Sequence, residues 1–320
     1  MWRVGEQVWI GVDVGGTKVL AGVVDDEGRV RRTALRRTPG RRVDVRMVED
    51  ALTEAVEEAA GDAEVLGVGV AAAGFVDADG ERVMFAPHLP WEDSPLREVL
   101  ADRWGVPVVL ENDATAATHA EATYGAARGA RDVVVVTLGT GIGGGLLLDG
   151  CLHRGRNGMA GEFGHMQVVP GGLACECGGY GCWEQYSSGS ALVRFVRERL
   201  GIRPTVLEDM CQGNPALLTG PMVTDAAGDG DLLAHEAFQH VGDWLGVGVA
   251  NLVAAFDPDC VVIGGGVSAA GDRLLDPART ALERTLVGAA RREIPPVLPA
   301  TLGPGAGLVG AADLARQTRR

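Results

Sequence analysis

Two stretches of this chain open in the same way, with an apolar run, a glycine turn and a second apolar run. QVWIGVDVG (7–15) turns into KVLAGVVD (18–25), and RDVVVVTLGTGIGGGLLLDG (131–150) repeats the plan. Val-rich runs bounded by Gly read as strands. Other segments read as helices: VRMVEDALTEAVEEAAG (45–61) has apolar residues at helical spacing and a Gly stop. SPLREVLADRWG (94–105) offers Ser94 as an N-cap followed by Pro, and further helices are expected at about 113–126, 189–200, 231–256 and from 271. VLGVGVAAAG (65–74) reads as a buried strand, and VPVVLEND (106–113), CVVIGGG (260–266) and PVLPATL read as strands. Alternating strands and helices define an α/β class. The repeated opening implies two similar halves, divided near residue 127 at GAARGA into lobes 1–126 and 127–320. The last helix, beginning near Gly307, is free to pack back on the first lobe. A cleft between two α/β lobes is a common place for a ligand.

The glycine turns carry the first chemical signal. DVGGTK places Asp13, Gly15, Gly16, Thr17 and Lys18 in one tight turn. Glycines let backbone N–H groups approach an anion, and an Asp oxygen suits Mg²⁺. GTGIGGG repeats Gly139, Thr140 and Gly141, and Gly264, Gly265 and Gly266 end a third strand, where they could lie flat against a purine. Any one such turn is an ordinary strand connection; three together point to a phosphate-bearing ligand. G-x-x-x-x-G-K-[ST] is absent, so this is not a P-loop. The first turn leads into a strand rather than a helix, which excludes a Rossmann fingerprint. Lys18 is the only lysine among 29 basic residues, a compact point charge in a chain otherwise using Arg.

Glu111, Asn112 and Asp113 fall where a strand meets a helix. Asp113 there is either an N-cap or a general base that takes a proton from an alcohol, with Asn112 placed to hold a hydroxyl. Phosphate cradles, an oxygen ligand for a metal and an oriented carboxylate are the parts phosphoryl transfer needs.

CECGGYGCWE (175–184) puts three of six cysteines within eight residues. The start of the chain has no apolar run with a small-residue cleavage site, and no stretch of 18 consecutive apolar residues occurs, so neither a signal peptide nor a membrane span is expected. The expected compartment is the cytoplasm, where clustered cysteines read as metal ligands or redox groups before disulfides. The C-x-C then C-x-x-x-x-C spacing does not fit a redox pair. A net charge of −14 argues against a general nucleic-acid or anionic-membrane binder. Cys151, Cys211 and Cys260 are isolated, and His119, His153, His235 and His240 have no ligand spacing.

DVGGTK, END, GTGIGGG, GEFGH (161–165) and CECGGYGCWE occur in an order and spacing that resembles the ROK family of repressors and sugar kinases over essentially the whole chain. Within it the sequence is most like the bacterial ATP-dependent glucokinases. The resemblance implies a two-lobed, actin-like (ribonuclease-H-like) fold. It implies transfer of the γ-phosphoryl of MgATP to the 6-hydroxyl of glucose, or to another hexose or N-acetylhexosamine. Asp113 matches the catalytic base, and Asn112, Glu162, His165 and Glu184 match sugar contacts. Asp13 to Lys18 and Gly139 to Gly141 match the phosphate motifs, and Gly264 to Gly266 the adenosine-side loop. His165, Cys175, Cys177 and Cys182 match a zinc site; four protein ligands leave no open position, so the zinc would be structural. His165 can serve both zinc and sugar through its two ring nitrogens. Thr115, His88 and Ala73 depart from residues common in relatives. Family repressors carry an N-terminal helix-turn-helix, for which the twelve residues before Asp13 are too few. A homodimer or homotetramer is expected from the resemblance.

Overall fold

The computed structural model describes residues 5–318. Its strands are β1 (Gln7–Val14), β2 (Lys18–Val24), β3 (Val30–Arg37), β4 (Glu64–Ala72), β5 (Phe75–Val76), β6 (Val83–Phe85), β7 (Glu92–Ser94), β8 (Val108–Asn112), β9 (Val133–Leu138), β10 (Ile142–Leu148), β11 (Cys151–Leu152), β12 (Cys260–Gly264) and β13 (Val297–Pro299). Its helices are α1 (Val45–Ala60), α2 (Leu96–Trp104), α3 (Asp113–Thr123), α4 (Gly189–Arg197), α5 (Val206–Met210), α6 (Gly220–Gly228), α7 (Leu232–Phe256), α8 (Asp272–Thr285) and α9 (Ala306–Gln317). Two compact units emerge. The first comprises Met1–Arg131, Gly145–Gly161 and Thr301–Arg320, and the second Asp132–Gly144 and Glu162–Ala300.

In the first unit a five-stranded sheet has the order β3-β2-β1-β4-β8. β1, β4 and β8 are parallel, so their carboxyl ends share one edge. Val8, Ile10, Val12 and Val14 of β1 join Val48, Leu52, Ala55 and Val56 of α1 in the main apolar cluster. Asp44 caps α1 by accepting from the Arg46 amide. The other face of β1 is opened by glycine. Gly22, Gly11 and Gly69 pair directly across β2, β1 and β4. They form a bare row on which α9 lies. A Cβ on Gly11 would overlap the Leu308 carbonyl, and one on Gly69 the Ala311 carbonyl. Gly310 gives α9 an equally close approach to Ala116 of α3. Such contacts leave no room for even a methyl group. Ser94 does not cap α2. It ends β7, paired with Val83, and Pro95 takes the N-cap position without a side-chain bond.

The second sheet has the order β11-β10-β9-β12-β13; β10 begins in the second unit and its chain continues into the first. β12 is parallel to both β9 and β13. The second unit's core gathers around α7, which Asp231 caps through the Ala234 amide. Gly246 lets α8 approach so closely that a Cβ there would overlap Ala278 O. Among the described residues no helix is long and apolar enough to cross a membrane.

Candidate active site

The carboxyl edge of the first sheet gathers the first set of chemical groups. Asp13 pairs with Ala71, and Ala71 with Glu111. Two strand spacings therefore separate β1 from β8, about 10 Å. The turn after β1 closes through Gly15 N–H donating to Lys18 O at 3.0 Å. Thr38 braces it from behind, its Oγ1 donating to Gly15 O at 2.6 Å and its amide to Thr17 O at 3.1 Å. Thr17 and Lys18 are exposed. Burial raises the Asp13 carboxyl above its ordinary range, and nearby Lys18 only partly offsets this. A half-buried hard oxygen donor of this kind fits a magnesium ion or its bound water. His88 packs directly over Gly16.

At the end of β8 the structure assigns the cap to Asn112. Its Oδ1 accepts from Thr115 N–H at 3.0 Å. Its Nδ2 donates to Gly74 O at 3.0 Å and to Asp113 Oδ1 at 3.1 Å. Both amide hydrogens are thus spent within the protein, while Oδ1 retains acceptor capacity for a hydroxyl. Asp113 is the first residue of α3, and its Oδ1 also accepts from Ala114 N–H at 2.9 Å. The positive end of the helix favours the ionised carboxylate.

The second unit holds the remaining predicted residues. The turn after β9 closes through Gly139 N–H donating to Gly141 O at 3.0 Å. The first amides of α4 bind its carbonyls, Gly189 N to Gly139 O at 2.8 Å and Ser190 N to Thr140 O at 3.3 Å. Gly265 has φ of +83°, and a Cβ there would overlap Leu138 O. Only glycine fits this turn. Gly139, Thr140 and Gly266 line one cavity of about 690 Å³ together with Ser190, Thr224 and Val267. This is the size and mixed character of a small-ligand pocket. Gly264 ends β12 and Gly265 follows it, just before Gly266, and a Cβ on Gly141 would meet Glu184.

Glu162, His165, Glu184 and three cysteines form a compact group. The ligand atoms of His165, Cys175, Cys177 and Cys182 lie within 4.8 Å of one another. His165 Nδ1 is 3.7 Å from Cys175 Sγ, and Cys177 Sγ is 3.6 Å from Cys182 Sγ. Ligands on a tetrahedral zinc sit about 3.5–3.8 Å apart, so this donor set fits a zinc ion after a small contraction. Burial pushes the Cys175 thiol up to about 12 and also raises Cys182, whereas the Gly179 amide lowers Cys177. A bound cation would draw off these protons. The other His165 nitrogen, Nε2, lies 3.9 Å from Glu162 Oε2. Burial raises the Glu162 carboxyl, with His165 partly offsetting it. Glu184 joins two features: Cys175 Sγ–H donates to its Oε1 at 3.1 Å, and its Oε2 occupies the space a Cβ on Gly141 would take.

Sequence reasoning did not find four supports. Thr38 directly follows the exposed strand β3. Trp183 is fully buried against Gly248, with Nε1 donating to Trp244 O at 2.7 Å, and so pins the Cys-rich loop to α7. Ser190 and Thr224 reach the cavity from α4 and α6, without a motif; only the helix-start pattern SSGS at 187–190 hints at the first.

Two glycine turns, a carboxylate at a helix N-terminus and a Cys₃His clip on an α/β scaffold define a phosphotransferase-like class. Within it, the chain belongs to the ROK family, whose model matches residues 9–318. It is 45% identical over 311 residues to the glucokinase of Streptomyces coelicolor, covering 96% of this chain and 97% of that one. It is 36% identical over 316 residues to the glucokinase of Thermotoga maritima, with 96% and 97% covered. Among solved structures it is similar to a ROK family glucokinase from Streptomyces griseus in complex with glucose and AMPPNP. There the identity is 46%, the coverage 97% of this chain and 99% of that chain, and the TM-score 0.89.

Proposed function

We propose that this chain is a glucokinase, transferring the γ-phosphoryl group of MgATP to the 6-hydroxyl of glucose to give glucose 6-phosphate. The observation that carries the reading is the Asn112–Asp113 pair. It stands at the carboxyl edge of the first sheet, on the same edge as the Asp13 turn. It does so in a chain 46% identical to a protein solved with glucose and AMPPNP.

Asp113 takes the proton from the 6-hydroxyl as that oxygen bonds to the γ-phosphorus and ADP departs, and the α3 N-terminus is a favourable place for its negative charge. Asn112 Oδ1 accepts from a sugar hydroxyl. Glu162, His165 Nε2 and Glu184 hold further hydroxyls, which orients the nucleophile and lowers the entropy cost of reaction. Gly139, Thr140 and the Gly264–Gly266 loop hold the nucleotide in the cavity, and Asp13 to Lys18 hold phosphate and magnesium. Magnesium neutralises charge on the phosphate oxygens when bound. Zinc on His165, Cys175, Cys177 and Cys182 is structural, fixing His165 and the loop that ends at Glu184. The chain works in the cytoplasm, where thiols stay reduced, as a homodimer or homotetramer that light scattering would size.

The alternative acceptors are mannose, fructose, N-acetylmannosamine and N-acetylglucosamine, and the alternative donor is polyphosphate. Steady-state assay of this panel should give glucose with MgATP a kcat/KM at least about tenfold above every other pair, within the reach of hydroxyl recognition by buried polar groups. A higher kcat/KM for another sugar or for polyphosphate would reject the assignment.

A further inference from the structure

Glu111 precedes the proposed sugar-binding and catalytic pair, yet its carboxylate has no role in the reaction as described. It is 4% exposed. One oxygen, Oε1, accepts from the Asn112 backbone N–H at 3.0 Å. The other, Oε2, receives Arg154 Nε at 2.7 Å and Arg154 Nη2 at 2.6 Å. A polar group this buried is costly without a partner, and Arg154 supplies it. Arg154 therefore decides where Glu111 points, and Glu111 decides where the Asn112 amide points.

The surrounding contacts close a ring inside the first unit. Arg154 O accepts from Ala160 N–H at 3.0 Å, folding 154–160 into a loop. Gly158, with φ of +77°, presses that loop onto Val76 of β5 so closely that a Cβ would overlap Val76 O. β5 begins one residue after Gly74, whose carbonyl accepts from Asn112 Nδ2. Asn112 is thus held on two sides by groups that depend on one loop, through its backbone by Glu111 and through its side chain by Gly74. The loop holding Arg154 then runs on through Gly161 to Glu162.

We infer that Arg154 is a positioning residue for the phosphoryl-transfer reaction, acting through Glu111 to set the orientation of Asn112 and Asp113. The inference rests on reading Asp113 as the base. Misplacing a reacting group by about 1 Å costs on the order of 100-fold in turnover. Arg154→Met, which keeps the apolar stem and removes the charge, should lower kcat about 100-fold and leave the KM for ATP within about twofold. Arg154→Lys, which returns a cation to Glu111 but not its pair of donors, should recover kcat only in part, to about tenfold below the parent. Glu111→Gln combined with Arg154→Met should be about as slow as Arg154→Met alone, because both changes cut one chain of contacts. That pair also leaves no unpaired buried charge, so it serves if Arg154→Met does not fold. Native kcat in Arg154→Met, or in the double variant, would overturn the inference, as would losses that multiply. Asp113→Asn, assayed alongside, tests the base separately: retained turnover there would sink the base reading whatever Arg154 does.

Discussion

The two glycine turns look alike in sequence and are built differently. The turn at Gly15–Thr17 brings its own charges, Asp13 and Lys18, and is braced by Thr38. The strand that leads into it rests on α9, from the far end of the chain, through the Gly22–Gly11–Gly69 row. The turn at Gly139–Gly141 carries no charge. It is held by neighbours of the Cys-rich loop: the α4 amides at Gly189 and Ser190, and the Glu184 carboxylate. On the proposed function, the first turn would act on phosphate and metal charge. The second would supply shape, and Glu184, two residues after Cys182, connects it to the cluster that would hold zinc.

Among the substitutions that probe this contrast, the largest effect should separate the turns directly. Asp13→Ala should lower kcat/KM for MgATP by about 10²–10³, the scale of losing an electrostatic contact to the transferring group. Thr140→Ala should lower it only a few-fold. Equal losses would dissolve the distinction.

The second effect concerns the helix beneath the first turn. Asp313 of α9 is buried, which by itself raises its carboxyl. Hydrogen bonds from His119 and Tyr124, with the charges of His119 and Arg316, outweigh this and hold it at about 2, below its ordinary 3.8. His119 Nε2 is 2.8 Å from Asp313 Oδ2, and Tyr124 OH donates to Oδ1 at 2.6 Å. A depressed folded-state value gives stability that is present above the unfolded value and lost as pH falls through the folded one. Asp313→Asn should then cost about 2–3 kcal/mol at pH 7. Urea unfolding should show the gap between parent and variant closing from about pH 4 to pH 2. A gap that does not depend on pH would contradict the network.

The third and fourth effects follow the link through Glu184. Cys177→Ser should lose the zinc, about one per chain in the parent by metal analysis. It should also raise the KM for glucose about tenfold, as loss of support around a site typically does. Gly141→Ala should keep the metal and raise the glucose KM by about fivefold, because the new methyl displaces Glu184. Unchanged glucose affinity in both would cut the proposed link between the second turn, Glu184 and the Cys/His cluster.

The turns themselves were legible, because Gly and Thr at the ends of Val-rich runs announce a strand reversal. The Cys spacing was legible for a similar reason: few arrangements other than a metal clip fit it. Contacts that join distant segments were not. Nothing local to Gly11 or Gly69 announces that α9 lies on them. β3, VRRTALRR, buries only Ala34 and so lacks the apolar alternation that marks a strand; Arg suits its place at a sheet edge. Ser94 before Pro95 reads as a helix cap, but pairing with Val83 draws it into a strand. Asp113 read equally as cap or base, and in the structure its neighbour Asn112 is the cap. Glu111 and Arg154 stand 43 residues apart, and no local pattern joins them.

The central claim is that Asp113 is the base in glucose phosphorylation. Its most direct test is single-turnover phosphorylation of glucose by Asp113→Ala with MgATP, beside glucose binding and zinc content in the same preparation. Turnover should fall by about 10²–10⁴, the range a positioned general base supplies, while zinc stays at one per chain and glucose still binds. Near-parental turnover with zinc and glucose retained would contradict it.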